Sequence, residues 1–145
     1  MAANNDLSEN VEDYLETILE LQTKKTVARS KDIAEKMDIK RGSVTGMLKK
    51  LAKKNFINYE PYGYVTLTPE GKKIAVEIER RHIFLKDFFF RILEVDEETA
   101  DNTACRMEHA MNKQTFTKFK KFVKKIDTCP HCDIKPALSQ GLLKK

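Results

Sequence analysis

Three side chains that can each donate an electron pair to a cation stand at helical spacing in Cys105-Arg106-Met107-Glu108-His109. Positions i, i+3 and i+4 of a helix share one stripe, so a thiolate, a carboxylate and an imidazole fall within an arc of about 100°. That mixed set suits a first-row transition metal. It also fits a half-buried cysteine beside a Glu–His hydrogen bond. Asp101 and Asn112 flank the stripe, and Ala104, Met107 and Met111 form an opposite, packing face. Asp13 and Glu16 are a second candidate pair, three residues apart and opposite Val11, Leu15 and Ile18. Glu12 and Glu20 lie on the same side, so an ordinary acidic surface is the competing reading. His82 follows Arg80-Arg81, where a lone histidine reads as polar surface. Cys129-Pro130-His131-Cys132 is a separate motif. A C-x-x-C with an adjacent His suits a soft metal, an iron–sulfur cluster or a redox disulfide, and it also fits an unengaged loop. A zinc site there needs a further ligand.

Helices must position these groups. Apolar spacing predicts a helix over residues 9–22, with Ser8 as its N-cap. A short helix over 30–37 is expected to be capped by Ser30, and a third over 43–54 follows the turn Asp38 to Gly42. Residues 57–67, β-branched and aromatic around Pro61-Tyr62-Gly63, read as a hairpin. Thr68 and Pro69 then open a long helix that is expected to reach Leu93. Asp96 caps a helix over 97–111, and a last helix covers 114–126. The remainder, to Lys145, reads as irregular.

The chain has 145 residues with a formal net charge of +5, and its distribution is uneven. Residues 1–20 carry six acids and no base, whereas residues 24–54 carry eleven bases against three acids. Residues 113–125 add six lysines. A basic block inside an acid-flanked chain suits a polyanion-binding face. No apolar run approaches the ~18 residues that span a bilayer, and the N-terminus has no signal-peptide pattern. A cytoplasmic protein without membrane partner or small-molecule substrate is therefore expected. Three cysteines, an odd number, argue against a disulfide framework. Gly-rich phosphate loops and nucleophile–base motifs are missing, which argues against an enzyme.

Three helices followed by a hairpin is the order of a winged helix-turn-helix, whose second paired helix enters the major groove. On the helix that starts near Ser43, Val44, Leu48 and Leu51 fall on one side, and Lys49, Lys50 and Lys53 on the other. Lysines supply phosphate attraction, and residues near the helix start are better placed for base edges. Arg29, Lys40, Arg41, Ser43, Thr45, Lys49, Lys50 and Lys53 are the expected contacts to double-stranded DNA.

Taken in order, these motifs resemble the family of the diphtheria toxin repressor, the iron-dependent regulators and the manganese transport regulators. The resemblance rests on Val11 to Leu21, Ser30 to Lys36, Ser43-Val44-Thr45 with Met47 to Leu51, and Tyr59 to Tyr62 leading to Val65 to Thr68. Glu70 to Ala75, Arg81-His82, Ala104 to Met111 and Thr128 to His131 continue it. It implies a mostly α fold in the short form that lacks the family's SH3-like domain. Its expected parts are a winged helix-turn-helix DNA-binding domain (1–72), a helical dimerisation and metal-binding domain (73–128) and a Cys/His-containing tail (129–145). It implies a repressor that binds operator DNA as a homodimer when metal-loaded and controls metal-uptake genes. By position, Asp13, Glu16, His82, Cys105, Glu108 and His109 match the family's metal ligands. Four positions depart from the pattern: Lys86 stands where many members carry a carboxylate, Asp101 where the toxin-repressor branch has His, and Gly42 and Gly46 where longer side chains or Pro are frequent. Cysteine at 105 resembles the iron-responsive branch, and Asp13 the manganese one. Thiolate softness agrees with Fe(II), leaving Mn(II) as the alternative; Co(II), Ni(II), Zn(II) or Cd(II) are expected to bind in vitro. A thiol-based redox regulator that uses Cys129 and Cys132 is the competing function.

Overall fold

The computed structural model describes residues 7–60 and 63–133. Pro61 and Tyr62 of the expected hairpin, and the tail from residue 134 onward, lie outside the described residues. The chain divides into two compact units between Ile78 and Glu79.

In the first unit, α1 (Glu9–Lys25), α2 (Ser30–Met37) and α3 (Arg41–Lys53) precede β1 (Ile57–Tyr59) and β2 (Val65–Leu67). Ser8 caps α1 by accepting from Val11 N. At α2 the N-cap is Arg29 rather than Ser30, and no side chain caps it. α3 begins two residues earlier than its apolar pattern suggests, because a single turn through Asp38 in the left-handed region (φ 53°) ends α2. Asp adopts that region more readily than most residues. The strands pair antiparallel, Ile57 opposite Leu67 and Tyr59 opposite Val65. Ala28 extends this ladder by exchanging both backbone hydrogen bonds with Val65, at 3.1 and 2.8 Å. Leu15, Ile18, Ile33, Val44, Leu48, Leu51 and Val65 are completely buried together. Each such side chain contributes roughly 1.5–3 kcal/mol of apolar burial, so α3 is held by its apolar stripe and its opposite face is fixed outward.

The helix α4 (Pro69–Asp87) starts against this core. Gly71 N–H donates to Thr68 Oγ1 at 3.1 Å, and Thr68 Oγ1 donates to Asn55 O at 2.7 Å. In the second unit α4 gives way to a π-helical turn, Phe88–Ile92, where an uninterrupted α-helix to Leu93 is expected. Arg91 in that turn is buried and clamps two carboxylates, Asp87 at 2.9 Å and Asp127 at 2.6 Å. Bidentate guanidinium pairing of this kind fixes geometry as well as charge. α5 (Glu97–Met107) is capped by Asp96, which accepts from Thr99 N at 2.9 Å. α6 (Lys113–Asp127) is capped by Asn112. Leu85, Ala104 and Phe116 form the core, with Phe84, Phe89, Met107, Met111 and Phe119 packed on it. The Phe84 ring meets Phe116 and Phe119 edge-on, with centroids 5.6 and 5.9 Å apart.

Candidate metal centre and nucleic-acid face

α5 stops at Met107, so Glu108 is its C-cap and His109 lies beyond the helix that was expected to carry both to residue 111. Arg81 explains how the end is held. Its guanidinium donates to the carbonyls of Glu108 and Met111, at 3.3 and 2.9 Å, satisfying acceptors that the terminated helix leaves open. The expected stripe is thereby split. Cys105 is exposed, Glu108 is fully buried, and His109 is half-buried.

His82, on α4, completes the arrangement. One ligand atom each from His82, Cys105 and Glu108 falls within 4.8 Å of the others. Glu108 Oε2 takes His82 Nδ1 at 2.8 Å. Glu108 Oε1 lies 3.2 Å from His109 Nε2, near enough to be stabilised by charge but not aligned for a hydrogen bond. A buried carboxylate oxygen without a hydrogen bond is costly unless something positive completes it. A carboxylate oxygen of Glu108 beside a nitrogen and a sulfur donor fits a divalent transition metal.

His82 is bracketed by acids. Its Nε2 sits 3.1 Å from Asp101 Oδ1. The Glu108 hydrogen bond, against the pull of burial, pushes the His82 ring up to about 9. Burial alone favours the neutral Glu108 carboxyl, but His109 and His82 together hold it below its ordinary range. Metal binding through His82 Nδ1 must displace the proton that the two groups share. In the metal-free protein the His82 ring is expected to titrate near 9 instead of 6.5. Its contribution to stability is complete below 6.5 and is lost as pH rises through 9. Histidine proton shifts followed by NMR from pH 5 to 10 check this; a midpoint near 6.5 contradicts the pairing.

Lys86 pairs with two acids on α5. Its ammonium lies 3.0 Å from Asp101 and 3.3 Å from Glu97. A fixed cation thus serves the acids on the outer side of His82. Neither Lys86 nor Asp101 was singled out from the sequence as a partner of His82. On α1, Asp13 and Glu16 are half-buried while Tyr14, Leu15 and Ile18 face the core. Cys129, His131 and Cys132 do not join a cluster of three ligands among the described residues.

The basic face is where the wheel puts it. Lys40, Arg41, Ser43, Lys49, Lys50 and Lys53 are exposed, and Thr45 is half-buried with its hydroxyl donating to Arg41 O at 3.1 Å. Arg29, also exposed, is held by a residue the sequence pattern did not single out. Tyr64, 56% exposed beside β2, takes its guanidinium 5.0 Å from the ring centroid and 3.3 Å from the phenol oxygen. An aromatic next to the hairpin turn was the available signal. Among the described residues no helix is long and apolar enough to cross a membrane.

Known proteins match this arrangement along most of the chain. Residues 6–65 match the family described as "Iron dependent repressor, N-terminal DNA binding domain", and residues 68–137 match "Iron dependent repressor, metal binding and dimerisation domain". The manganese regulator MntR of Bacillus subtilis is 41% identical over 103 residues, 71% of this chain and 72% of the relative. An uncharacterized HTH-type transcriptional regulator of Methanocaldococcus jannaschii is 37% identical over 120 residues, 82% of this chain and 96% of the relative. Among solved structures, IdeR of T. acidophilum superposes with a TM-score of 0.66 at 30% identity over 83% of this chain. The manganese regulator SloR gives 0.69 at 26% identity over 92% of this chain. The chain spans 56% and 65% of the lengths of those two solved chains. Members of the family are transcriptional regulators rather than enzymes. With both domain families matched in order and relatives this similar, the chain belongs to the iron-dependent repressor family of metal-dependent transcriptional repressors, which includes the manganese regulators.

Proposed function

We propose that the chain represses metal-uptake genes by binding operator DNA as a homodimer when loaded with Fe(II), or alternatively Mn(II). The observation that carries the metal part is the buried Glu108 carboxylate beside His82 and Cys105. The proposed ligands are Asp13, Glu16, His82, Cys105, Glu108 and His109. Supporting the DNA part is the exposed row Lys49, Lys50 and Lys53 on a helix whose other face is locked in the core. Each lysine that neutralises a phosphate contributes about 0.9 to the slope of log affinity against log salt.

In this reading Asp13, Glu16 and Glu108 repel one another without a cation. A bound divalent ion supplies the neutralising positive charge. The carboxylates then hold α1 in a DNA-competent arrangement, which sets the separation of two α3 helices in a dimer to the operator's half-site spacing. Regulation requires that this state bind the ion more tightly than the other.

The test is a titration of Fe(II), under anaerobic conditions, and of Mn(II) against binding of the purified chain to its own upstream DNA at fixed salt. Binding that needs low levels of Fe(II) and far more Mn(II) supports the iron reading. Selective response to Mn(II) moves the protein to manganese homeostasis despite Cys105. Tight, sequence-specific binding in chelator, with no gain from either ion, removes the metal from the function.

A further inference from the structure

The motif Cys129-Pro130-His131-Cys132 takes no part in the function above, yet it is folded into a defined turn. It follows α6 directly. Cys129 N–H donates to Ile126 O at 3.1 Å, and Cys132 N–H closes back on Cys129 O at 3.3 Å. Pro130 stands second in this turn, where its fixed φ presets the bend. The turn therefore brings both thiols to one side before any ligand arrives. The two thiols lie close enough there to interact with each other.

The location decides what such a pair is for. Cysteines whose thiolate is stabilised gather at helix N-termini, beside cations or in Cys-x-x-Cys motifs. This pair sits at the opposite pole, past the C-terminal end of a 15-residue helix, where the backbone carries a partial negative charge. A dithiolate at that pole is destabilised by itself, whereas a divalent cation held by it is favoured. Two soft sulfurs select ions of the zinc class. Structural zinc sites are closed by four ligands. Among the described residues no third ligand group comes near the pair. Two further ligands complete such a site, and the matched family domain is a dimerisation domain.

We propose that Cys129 and Cys132 form half of a tetrahedral thiolate site for a zinc-class ion, closed by the same pair from a second copy of the chain. The site is independent of the centre at Glu108 and of its regulatory role.

Co(II) is the probe, because thiolate coordination gives it a sulfur-to-metal band in the near ultraviolet and tetrahedral bands in the visible. The parent is the full, reduced chain with Cys105→Ser, so that sulfur bands report on this pair alone. The expected result is both sets of bands, saturating at one Co(II) per two chains and bleached by Zn(II). Cys129→Ser or Cys132→Ser is expected to abolish the sulfur band. Three results overturn the proposal. They are no sulfur band in the parent, a band that survives in the Cys129→Ser, Cys132→Ser double variant, or saturation at one ion per chain. A parent that loses two hydrogens in air and shows no band after reduction identifies a disulfide pair instead.

Discussion

Glu108→Gln is expected to abolish the gain in DNA affinity that metal confers, while leaving the helical content unchanged. Gln fills the same volume and keeps one oxygen acceptor, so the buried site is not emptied. It removes the negative charge. A cation drawn into a buried site needs that charge, because the desolvation of an ion there is several kcal/mol and is offset only by direct pairing. Coupling between a metal effector and its DNA is typically about 1–3 kcal/mol, or roughly 5–150-fold in affinity; the whole of that factor is at stake. Fluorescence anisotropy of a duplex that the wild type binds in a metal-dependent way measures it directly. A variant with an undiminished metal response contradicts the assignment of Glu108. A second readout separates loss of the ligand from loss of structure. The hydrogen bond that His82 donates to Glu108 is the first cause of the raised His82 pKa. In a folded Gln variant the His82 midpoint therefore falls from about 9 toward its ordinary 6.5.

The parts of this molecule that depend on local rules were legible in the sequence. α1 and α3 follow from apolar spacing, and the caps Ser8, Thr68 and Asp96 sit where their hydroxyls and carboxylates satisfy helix starts. Cys105, Glu108 and His109 were identifiable as ligand types, and the ordered motifs pointed to the family. What was not legible depends on distant partners. Phe88 to Ile92 reads as uninterrupted helix, yet it is a π-helical turn around Arg91, whose guanidinium pairs with Asp127 from 36 residues away. The end of α5 depends on Arg81, which lies 27 residues before Glu108 and looks like a surface charge in sequence. The apolar Phe84, Phe88, Phe89, Leu93, Met107 and Met111 fitted either a dimer surface or a core; Leu93 is exposed, whereas Phe84, Phe89, Met107 and Met111 are not. They pack in the second unit's own core. Glu108 could not be recognised as buried, because a helical wheel places it beside Cys105, which is exposed.

Gly71→Ala is expected to destabilise the protein by about 2 kcal/mol or more, against the sign that helix propensity alone gives. In an exposed helix interior, Ala is better than Gly by roughly 1 kcal/mol. Gly71 is in the first turn of α4 and is buried. A Cβ there meets the backbone oxygen of Phe56 at 1.9 Å and its carbonyl carbon at 2.8 Å. Neither atom can swing away as a side chain does. The helix start must instead withdraw from the 55–56 backbone. That stretches the Thr68 N–H bond to Phe56 O, now 3.0 Å, and the Thr68 hydroxyl bond to Asn55 O, now 2.7 Å. Each lost hydrogen bond is worth about 1 kcal/mol, more where a buried group is left unsatisfied, and forced overpacking adds about 1–3 kcal/mol. Those terms exceed the propensity gain, so the sign is settled by the backbone contact. Urea unfolding of the metal-free chain reads the difference in midpoint at unchanged slope. A midpoint equal to or above that of the wild type means that α4 does not dock on Phe56 as described. Since Thr68, Gly71 and the Asn55–Phe56 backbone join α4 to the hairpin and α3, the same variant also tests the joint that carries α3.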